Sequence, residues 1–329
     1  MGSNPTKLSA SRGAAILGLS EYQTPFHVWQ RIMESIEPGF NENRGYIMPE
    51  YEESAMIRYG NAFESAIISL TEAKLGSVIE DREKLFTDDY LSCHVDGIYQ
   101  KDGIIHEGKT TNIYSFREKW GEEKTDAVPQ TYQIQAQHVL MLTGAPKLII
   151  SVLIFPERQN FFEENGVIPI LREDGVWQLR KGLIDIIEPL DWAVTLAEMG
   201  YFRQYEILPN RDIQYLLRDH YAEFWNEYVL TKTPPEPKNY DDLKRLCPSP
   251  KGTIVATEQL ERWAVEYRDL SQELGGKGML SKRKDELKLL ILDTMRKMDP
   301  VIDDESREKT ILLNSEGKKI ISWNGKMFR

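Results

Sequence analysis

Residues 94–109 read His-Val-Asp-Gly-Ile-Tyr-Gln-Lys-Asp-Gly-Ile-Ile-His-Glu-Gly-Lys, and this stretch decides the fold. Its second Asp-Gly dipeptide separates two runs of strand-forming residues, so the pattern predicts a β-hairpin. Because successive strand residues alternate faces, Glu107 and Lys109 point the same way. Asp96, on the first strand, is expected opposite Glu107 or one register step away. Two carboxylates and a lysine are therefore predicted to converge on one patch.

Such a patch suits a hard divalent cation. Mg²⁺ prefers oxygen ligands and usually keeps several waters. A lysine beside the ion can help to deprotonate a water or neutralise a developing negative charge, which is chemistry that suits phosphodiester hydrolysis. The alternative is that Asp96 is a strand-end aspartate and that Glu107 and Lys109 form an exposed cross-strand charge pair.

Composition limits the possible classes of protein. The chain has 329 residues, of which 41% are hydrophobic and 28% charged, as is typical of globular proteins. The longest apolar run, Leu148 to Phe155, is too short to cross a bilayer. No cleavable signal pattern is present at the N-terminus, and two cysteines make neither a disulfide framework nor a zinc site. We therefore expect a cytoplasmic protein without a membrane partner.

The net charge of −11 is unusual for a protein that binds nucleic acid, because phosphate contacts come from Lys and Arg. The charge is uneven, however, since residues 281–329 hold 12 basic and 9 acidic groups. A cluster of metal-binding carboxylates would add to the acidic excess elsewhere. The overall charge is therefore only weak evidence against DNA as a partner.

Local patterns predict the remaining elements. Apolar residues at helical spacing predict a long helix that begins near Ala55 and ends near Gly76. A helix is predicted over 129–143, a buried strand over 148–155 and mostly helix over 178–230. This order of elements indicates an α/β (α+β) fold with a central mixed β-sheet flanked by helices.

Three regions are predicted along the chain. Residues 1–232 form the core, residues 233–255 a Pro-rich linker, and residues 256–329 a helical arm plus a C-terminal hairpin. The arm contains a charged helical pair around Gly275-Gly276. It could be an oligomerisation arm, a DNA clamp or a partner dock, and the sequence does not choose among them.

Two helices offer further site candidates. Glu64 lies at the edge of the apolar stripe of the long helix, where it could supply another metal ligand, or it is a partly exposed helix glutamate. Tyr132 and Gln135 lie one turn apart on the 129–143 helix. They could hydrogen-bond a phosphate or orient water, or belong to a polar outer face. The histidines at 94, 106 and 138 match no common zinc spacing, and structural roles are favoured for them.

Taken in order, these motifs resemble the YqaJ-type viral recombinases, which are related to lambda exonuclease and belong to the PD-(D/E)xK nuclease superfamily. The resemblance covers residues 9–155 in four motifs, namely Ser11 to Trp29, Gly60 to Glu64, Asp96 with Glu107-x-Lys109, and Tyr132-x-x-Gln135-x-Gln137. It implies a restriction-endonuclease-like core with a helical C-terminal extension.

The resemblance also implies roles for individual residues. The catalytic residues would be Glu64, Asp96, Glu107, Lys109 and Gln135. The ligands of Mg²⁺ or Mn²⁺ would be Asp96, Glu107, Glu64 and the carbonyl of Gly108. The DNA-binding residues would be Ser11, Arg12, Tyr132, Gln135 and Gln137, with Ser11 near the 5′-phosphate.

The function implied is that of a metal-dependent, phage-type DNA exonuclease. It would degrade linear double-stranded DNA 5′ to 3′ and leave 3′ single-stranded tails for a single-strand annealing protein. Relatives are homo-oligomers, so a ring trimer or tetramer is expected, encoded by a phage or prophage and acting in the bacterial cytoplasm. The alternatives are another PD-(D/E)xK endonuclease, Cas4-like or resolvase-like, and a non-catalytic recombination scaffold.

Two departures from the family pattern stand out. Glycine at 108 replaces the usual bulkier residue of Glu-x-Lys and is expected to loosen the strand. The arginine that grips the terminal phosphate has no counterpart upstream of Ser9, and Arg12 or Arg58 is expected to replace it. Both departures leave the polarity of digestion open.

Overall fold

The computed structural model describes residues 6–48, 53–182, 185–246, 252–273, 279–298, 309–324 and 328. The helices are α1 (Gly13–Ile16), α2 (Pro25–Ile36), α3 (Phe40–Asn43), α4 (Ala55–Leu75), α5 (Ile113–Lys119), α6 (Gln130–Thr143), α7 (Gln159–Glu164), α8 (Pro189–Glu198), α9 (Arg211–Phe224), α10 (Tyr240–Leu246), α11 (Glu258–Glu273) and α12 (Met279–Met295). The strands are β1 (Leu8–Ser9), β2 (Ile79–Glu80), β3 (Lys84–Asp88), β4 (Leu91–Val95), β5 (Gly97–Tyr99), β6 (Ile105–Asn112), β7 (Leu148–Phe155), β8 (Val167–Leu171), β9 (Trp177–Lys181), β10 (Asp185–Ile187), β11 (Phe202–Ile207), β12 (Gly252–Val255), β13 (Thr310–Leu313) and β14 (Lys319–Trp323).

The chain divides into two compact units. One contains residues 1–23 and 51–231, and the other contains residues 24–50 and 232–329. Helix α2 therefore groups with the C-terminal part of the chain, a grouping that no sequence pattern indicates. The predicted division into a core, a linker and a helical arm with a C-terminal hairpin stays a prediction.

A five-stranded sheet with the order β11-β7-β6-β5-β2 forms the centre of the first unit. Strands β6 and β7 are parallel and the other pairs are antiparallel. Every residue of β7 is buried, because Ile150 and Val152 pack into one core cluster while Leu153 and Phe155 pack into another. Helix α4 packs against β6, with α8 in the Phe155 cluster. The predicted mixed sheet flanked by helices is confirmed.

The hairpin that joins β5 to β6 forms as predicted. Gly103 has a φ of +67°, which favours glycine, and its N–H donates to the Tyr99 carbonyl. Gly97 pairs with His106, so the register places Asp96 opposite Glu107. Of the two registers that the sequence allowed, the structure adopts the directly opposed one.

The prediction of mostly helix over 178–230 is wrong in part. Residues 177–187 contain β9 and β10, which form a three-stranded sheet with β8. Strand β11 is a sheet edge, paired along its whole length with β7. Its aromatic and aliphatic residues, Phe202, Tyr205 and Ile207, are buried against the core, so tertiary pairing decides the conformation of a segment too short for periodicity to classify.

The second unit contains another three-stranded sheet. Strand β12 is parallel to β13, and β14 returns antiparallel to β13, which confirms the predicted C-terminal hairpin. Helices α11 and α12 pack against each other and contribute to one apolar cluster with this sheet. The predicted turn at Gly275-Gly276 lies outside the described residues. Within the predicted linker, α10 and β12 are ordered elements.

No helix among the described residues is both long enough and apolar enough to span a bilayer.

Candidate active site

Glu107 occupies the middle of β6 and is only 5% exposed. Its Oε1 accepts a hydrogen bond from Lys109 Nζ at 2.5 Å and another from Gln135 Nε2 of α6 at 2.6 Å. Its Oε2 is buried and has no hydrogen-bond partner among the residues that the structure describes. A buried carboxylate oxygen without a partner is costly. This atom therefore marks a place where a further positive or donor group would be stabilised.

Asp96 precedes β5 and faces the same part of β6. Its Oδ2 accepts a hydrogen bond of 2.7 Å from the Gly108 backbone N–H. If β5 were longer, a backbone carbonyl of that strand would accept this bond instead. Strand β5 pairs with β6 only at Gly97 and Ile98, so the sheet is open beside Glu107 and the residues after it. The N–H and C=O of one strand residue point to the same side. The Gly108 carbonyl is therefore directed to the side of Asp96.

Mutual repulsion and burial shape the protonation of these groups. Burial, with Glu107 as the nearby negative charge, raises the pKa of Asp96 to about 7. Burial alone would lower the pKa of Lys109, but the adjacent Glu107 and Asp96 outweigh it and raise that pKa above its usual value. Lys109 therefore carries its proton at neutral pH, which suits a fixed positive charge and not a base.

Glu64 stands on α4, which packs on the face of β6 opposite to Glu107. Its carboxyl is half-buried, and burial followed by repulsion from Asp96 raises its pKa to about 6. Glu64 thus interacts with Asp96 more than with Glu107. Glu64 therefore lies at the edge of the site. It does not share the face of the sheet that carries Glu107.

The donor set fits a hard divalent ion. The described residues contain no cluster of three or more His, Cys, Asp or Glu side chains that could hold a metal. The oxygens on hand are the Asp96 carboxylate, the unpartnered Oε2 of Glu107 and the Gly108 carbonyl. Two carboxylates and one carbonyl, completed by water, suit Mg²⁺ or Mn²⁺ better than zinc, which prefers nitrogen and sulfur ligands.

The raised pKa of Asp96 predicts how stability depends on pH without metal. Between about pH 4 and pH 7 the folded protein holds a proton on Asp96 that the unfolded chain has released, so the free energy of unfolding falls as the pH rises through this window. Each unit of pKa difference is worth about 1.4 kcal/mol.

We expect Asp96→Asn to reduce this fall in the free energy of unfolding, measured by urea unfolding at pH 5 and pH 8 with chelator. The exposed Asp174→Asn is the control, and an equal fall in wild type and Asp96→Asn would contradict the assignment.

Gly108 permits a close approach of α4. A Cβ atom at this position would lie 3.3 Å from Ile67 Cγ2 and 3.5 Å from Asp96 Oδ2. Strand β6 stays in register with β7 at Gly108 and on both sides of it. The expectation of a looser strand stays a prediction.

Helix α6 presents only part of its polar residues to the site. Gln135 holds Glu107, and the Tyr132 ring centroid lies 5.4 Å from Lys109 Nζ. The structure does not bring Gln137 there, because two residues along a helix turn a side chain to the other face. Gln137 is buried, where it donates to the Leu208 carbonyl and accepts from the Asn210 N–H.

The predicted phosphate-binding residues lie near the N-terminus. Ser11 is exposed, with its Oγ 3.2 Å from that of Ser9, and Arg12 donates to the Lys7 carbonyl at 3.4 Å. Arg58 forms two hydrogen bonds of 2.6 and 2.9 Å with Glu163, so its guanidinium is already committed to an ion pair. Both arginines therefore have partners, and their assignment to the terminal phosphate stays a prediction.

A buried polar network lies on the far side of β6. His106 Nε2 is 3.3 Å from Thr71 Oγ1, which is 2.8 Å from Ser151 Oγ, and Gln204 Nε2 donates to that same Ser151 oxygen. Burial lowers the pKa of His106 to about 3, so it is neutral. The hydrogen-bonded contact with Thr71, and the absence of a metal-holding cluster among the described residues, favour the structural role over zinc binding. The sequence signal for the network was Ser151, the one polar residue in an apolar strand.

His138 is likewise structural. It is completely buried on α6 beside the ring of Tyr221, and burial lowers its pKa to about 4. A buried, neutral histidine that packs on an aromatic ring has a structural role.

Comparison with known proteins finds a family that matches part of this chain. Residues 4–146 match the family described as the YqaJ-like viral recombinase domain. The curated protein "Uncharacterized protein YqaJ" of Bacillus subtilis (strain 168) is 24% identical over 152 residues, which are 45% of this chain. The match spans 43% of that relative's length.

Two solved structures are also similar. One is an alkaline exonuclease (LHK-Exo) from Laribacter hongkongensis, with 12% identity and a TM-score of 0.45, covering 70% of this chain and 94% of the other. The second is a phage related exonuclease from Haemophilus somnus 129PT, with 11% identity and a TM-score of 0.42, covering 69% and 96%. Both scores are below 0.5, so we assign the fold class from the order and pairing of the strands.

A hairpin opposes Asp96 to Glu107-x-Lys109, β7 is the parallel partner of β6, and helices cover the sheet. This arrangement resembles a PD-(D/E)xK-type core. Residues 4–146 are similar to the YqaJ-like viral recombinase domain family. The resemblance noted from the sequence motifs is confirmed.

Proposed function

We propose that this protein is a metal-dependent DNA exonuclease of the phage type. It would degrade linear double-stranded DNA from the 5′ end and leave 3′ single-stranded tails for a single-strand annealing protein. A homo-oligomeric ring of three or four subunits, acting in the bacterial cytoplasm, is part of the same proposal. The similarity of residues 4–146 to a viral recombinase family supports DNA as the substrate.

One observation carries the proposal: the buried Oε2 of Glu107 has no hydrogen-bond partner among the described residues. It lies beside a second carboxylate, Asp96, whose pKa is raised to about 7 by burial and by Glu107. A structural ion pair would be expected to satisfy its buried oxygens. Two carboxylates with only one adjacent lysine form a site of net negative charge, which favours the binding of a cation.

The side chains would then divide the work. A divalent ion held by Asp96, Glu107 and the Gly108 carbonyl would supply Lewis acidity toward a phosphate oxygen. Gln135 fixes the orientation of Glu107 through its 2.6 Å hydrogen bond. Lys109, protonated at neutral pH, would stabilise the negative charge that develops on the phosphate. Tyr132 would restrict the position of Lys109 beneath the strand that is cut.

The test is a time course on duplex DNA labelled at either the 5′ or the 3′ end, with Mg²⁺ and with chelator. We expect early release of the 5′ label, no release in chelator, and no attack on covalently closed circular DNA. Nicking of the circle would instead indicate an endonuclease. Early release of the 3′ label would reverse the proposed polarity, and inactivity on every substrate with Mg²⁺ or Mn²⁺ would leave the scaffold interpretation standing.

A further inference from the structure

A cleft of about 390 Å³ lies next to the proposed active site, within the first unit. It begins at Thr110, the residue that follows Lys109 on β6, and continues to the first turn of α6 and the segment around Tyr22. This volume is at the lower end of the range for pockets that enclose a small organic molecule. The cleft is therefore large enough for one nucleobase with its sugar.

Three aromatic side chains contribute to the lining, namely Tyr22, Trp120 and Tyr132. Trp120 is buried and lies 5.5 Å, centroid to centroid, from Tyr132, so these two rings form a fixed wall. Tyr22 also lines the cleft but is 74% exposed, which is unusual for a large aromatic side chain. Its ring thus offers an apolar face to an incoming planar group.

The charges at the cleft favour a neutral ligand. Lys119 lines it, but Lys119 Nζ lies 2.9 and 2.8 Å from the two carboxylate oxygens of Glu21, another lining residue. The pair has no net charge, so it attracts a phosphate weakly. The hydroxyl groups of Thr110 and Thr131 can donate to or accept from the edge of a base.

We propose that this cleft binds one unpaired nucleobase of the strand being cut, stacked on Tyr22. The inference rests on the proposed function, because it assigns a place to the substrate of that site. Tyr132 connects the two regions, since it lines the cleft and its ring lies 5.4 Å from Lys109 Nζ. Stacking on Tyr22 would offset the cost of removing a base from the duplex.

Binding without cleavage tests the proposal. A labelled duplex with a short unpaired end is titrated in chelator and followed by fluorescence anisotropy, with an abasic nucleotide placed at each end position in turn. We expect one abasic position to weaken wild-type binding about tenfold. Tyr22→Ala should bind intact DNA about tenfold more weakly and be indifferent to the abasic site, while Tyr22→Phe should behave like wild type. Tyr215→Ala, which removes a tyrosine that is 65% exposed on α9, is the matched control.

The possible outcomes separate the interpretations. Equal binding by wild type, Tyr22→Ala and Tyr215→Ala would overturn the proposal. If Lys119→Gln weakened binding while no abasic position did, the proposal would also be overturned, because the cleft would then bind a phosphate group and not a base. Because the titration needs no catalysis, a wild-type protein that shows the abasic effect yet cuts no DNA with Mg²⁺ would retain the base site and refute the nuclease.

Discussion

Glu107→Gln is expected to lower the rate of DNA cleavage on the order of a thousandfold. The amide keeps the shape of the side chain and can still accept the hydrogen bond from Lys109. It removes the negative charge that we assign to metal binding, including the charge on the buried Oε2. The measurement is the initial rate of nucleotide release from linear duplex with saturating Mg²⁺.

Glu206→Gln is the matched control for this change. Glu206 lies on β11 of the same sheet, where it is exposed and paired with Lys147. We expect its rate to stay within about twofold of wild type, because exposed ion pairs contribute little. Comparable activity of Glu107→Gln and wild type would remove Glu107 from the catalytic set. Circular dichroism of each variant would establish that both are folded.

Phe155→Ala is expected to lower the free energy of unfolding by about 3–5 kcal/mol. Phe155 ends β7 without solvent exposure, and its ring centroid lies 5.1–5.8 Å from those of Phe63, Tyr59 and Trp192. The substitution would leave a cavity at the junction of the sheet with α4 and α8. The measurement is urea unfolding followed by tryptophan fluorescence, to which Trp192 in the same cluster contributes.

A neighbouring phenylalanine provides the comparison. Phe161 is 45% exposed on α7 and packs on Phe162 at a centroid distance of 5.8 Å. Phe161→Ala should cost about 1 kcal/mol or less, since a half-exposed ring can be replaced by water. If the two substitutions cost the same, the cluster around Phe155 would not be the packing centre that the geometry describes.

Local signals were sufficient for the elements that form the site. The β5–β6 hairpin follows from an Asp-Gly turn between alternating residues, and β7 follows from eight residues of which seven are apolar. Helix α4 ends as predicted at Gly76, which has a φ of +62°. Since the strand period fixes which side chains share a face, the juxtaposition of Glu107 and Lys109 could also be predicted.

Long-range partners decided what the sequence left open. Strand β11 forms because β7 offers an edge to it, and the segment 202–207 alone contains nothing that excludes a helix. The grouping of α2 with the C-terminal unit depends on contacts across more than 200 residues, such as the 2.7 Å hydrogen bond from Thr24 Oγ1 to Asp242. No periodicity in one segment records such a partner.

The same limit explains Gln137 and Gly108. The glutamine-rich start of α6 indicated polar contacts but not which glutamine makes them, since that depends on the rotation of the helix. Gln135 reaches Glu107, whereas Gln137 fixes the start of α9 through Asn210. The tight contact between Gly108 and Ile67 could not be foreseen, because nothing in either segment gives the distance between helix and strand.

The buried chain of Thr71, His106, Ser151 and Gln204 has a consequence for strand alignment. It links α4 to β6, β7 and β11 through hydrogen bonds between their buried side chains. If β6 slid by one residue against its neighbours, His106 would turn to the α6 side, and Glu107 would turn to the α4 side. The network therefore fixes strand alignment, and it keeps Glu107 on the face of the sheet where Gln135 of α6 binds it.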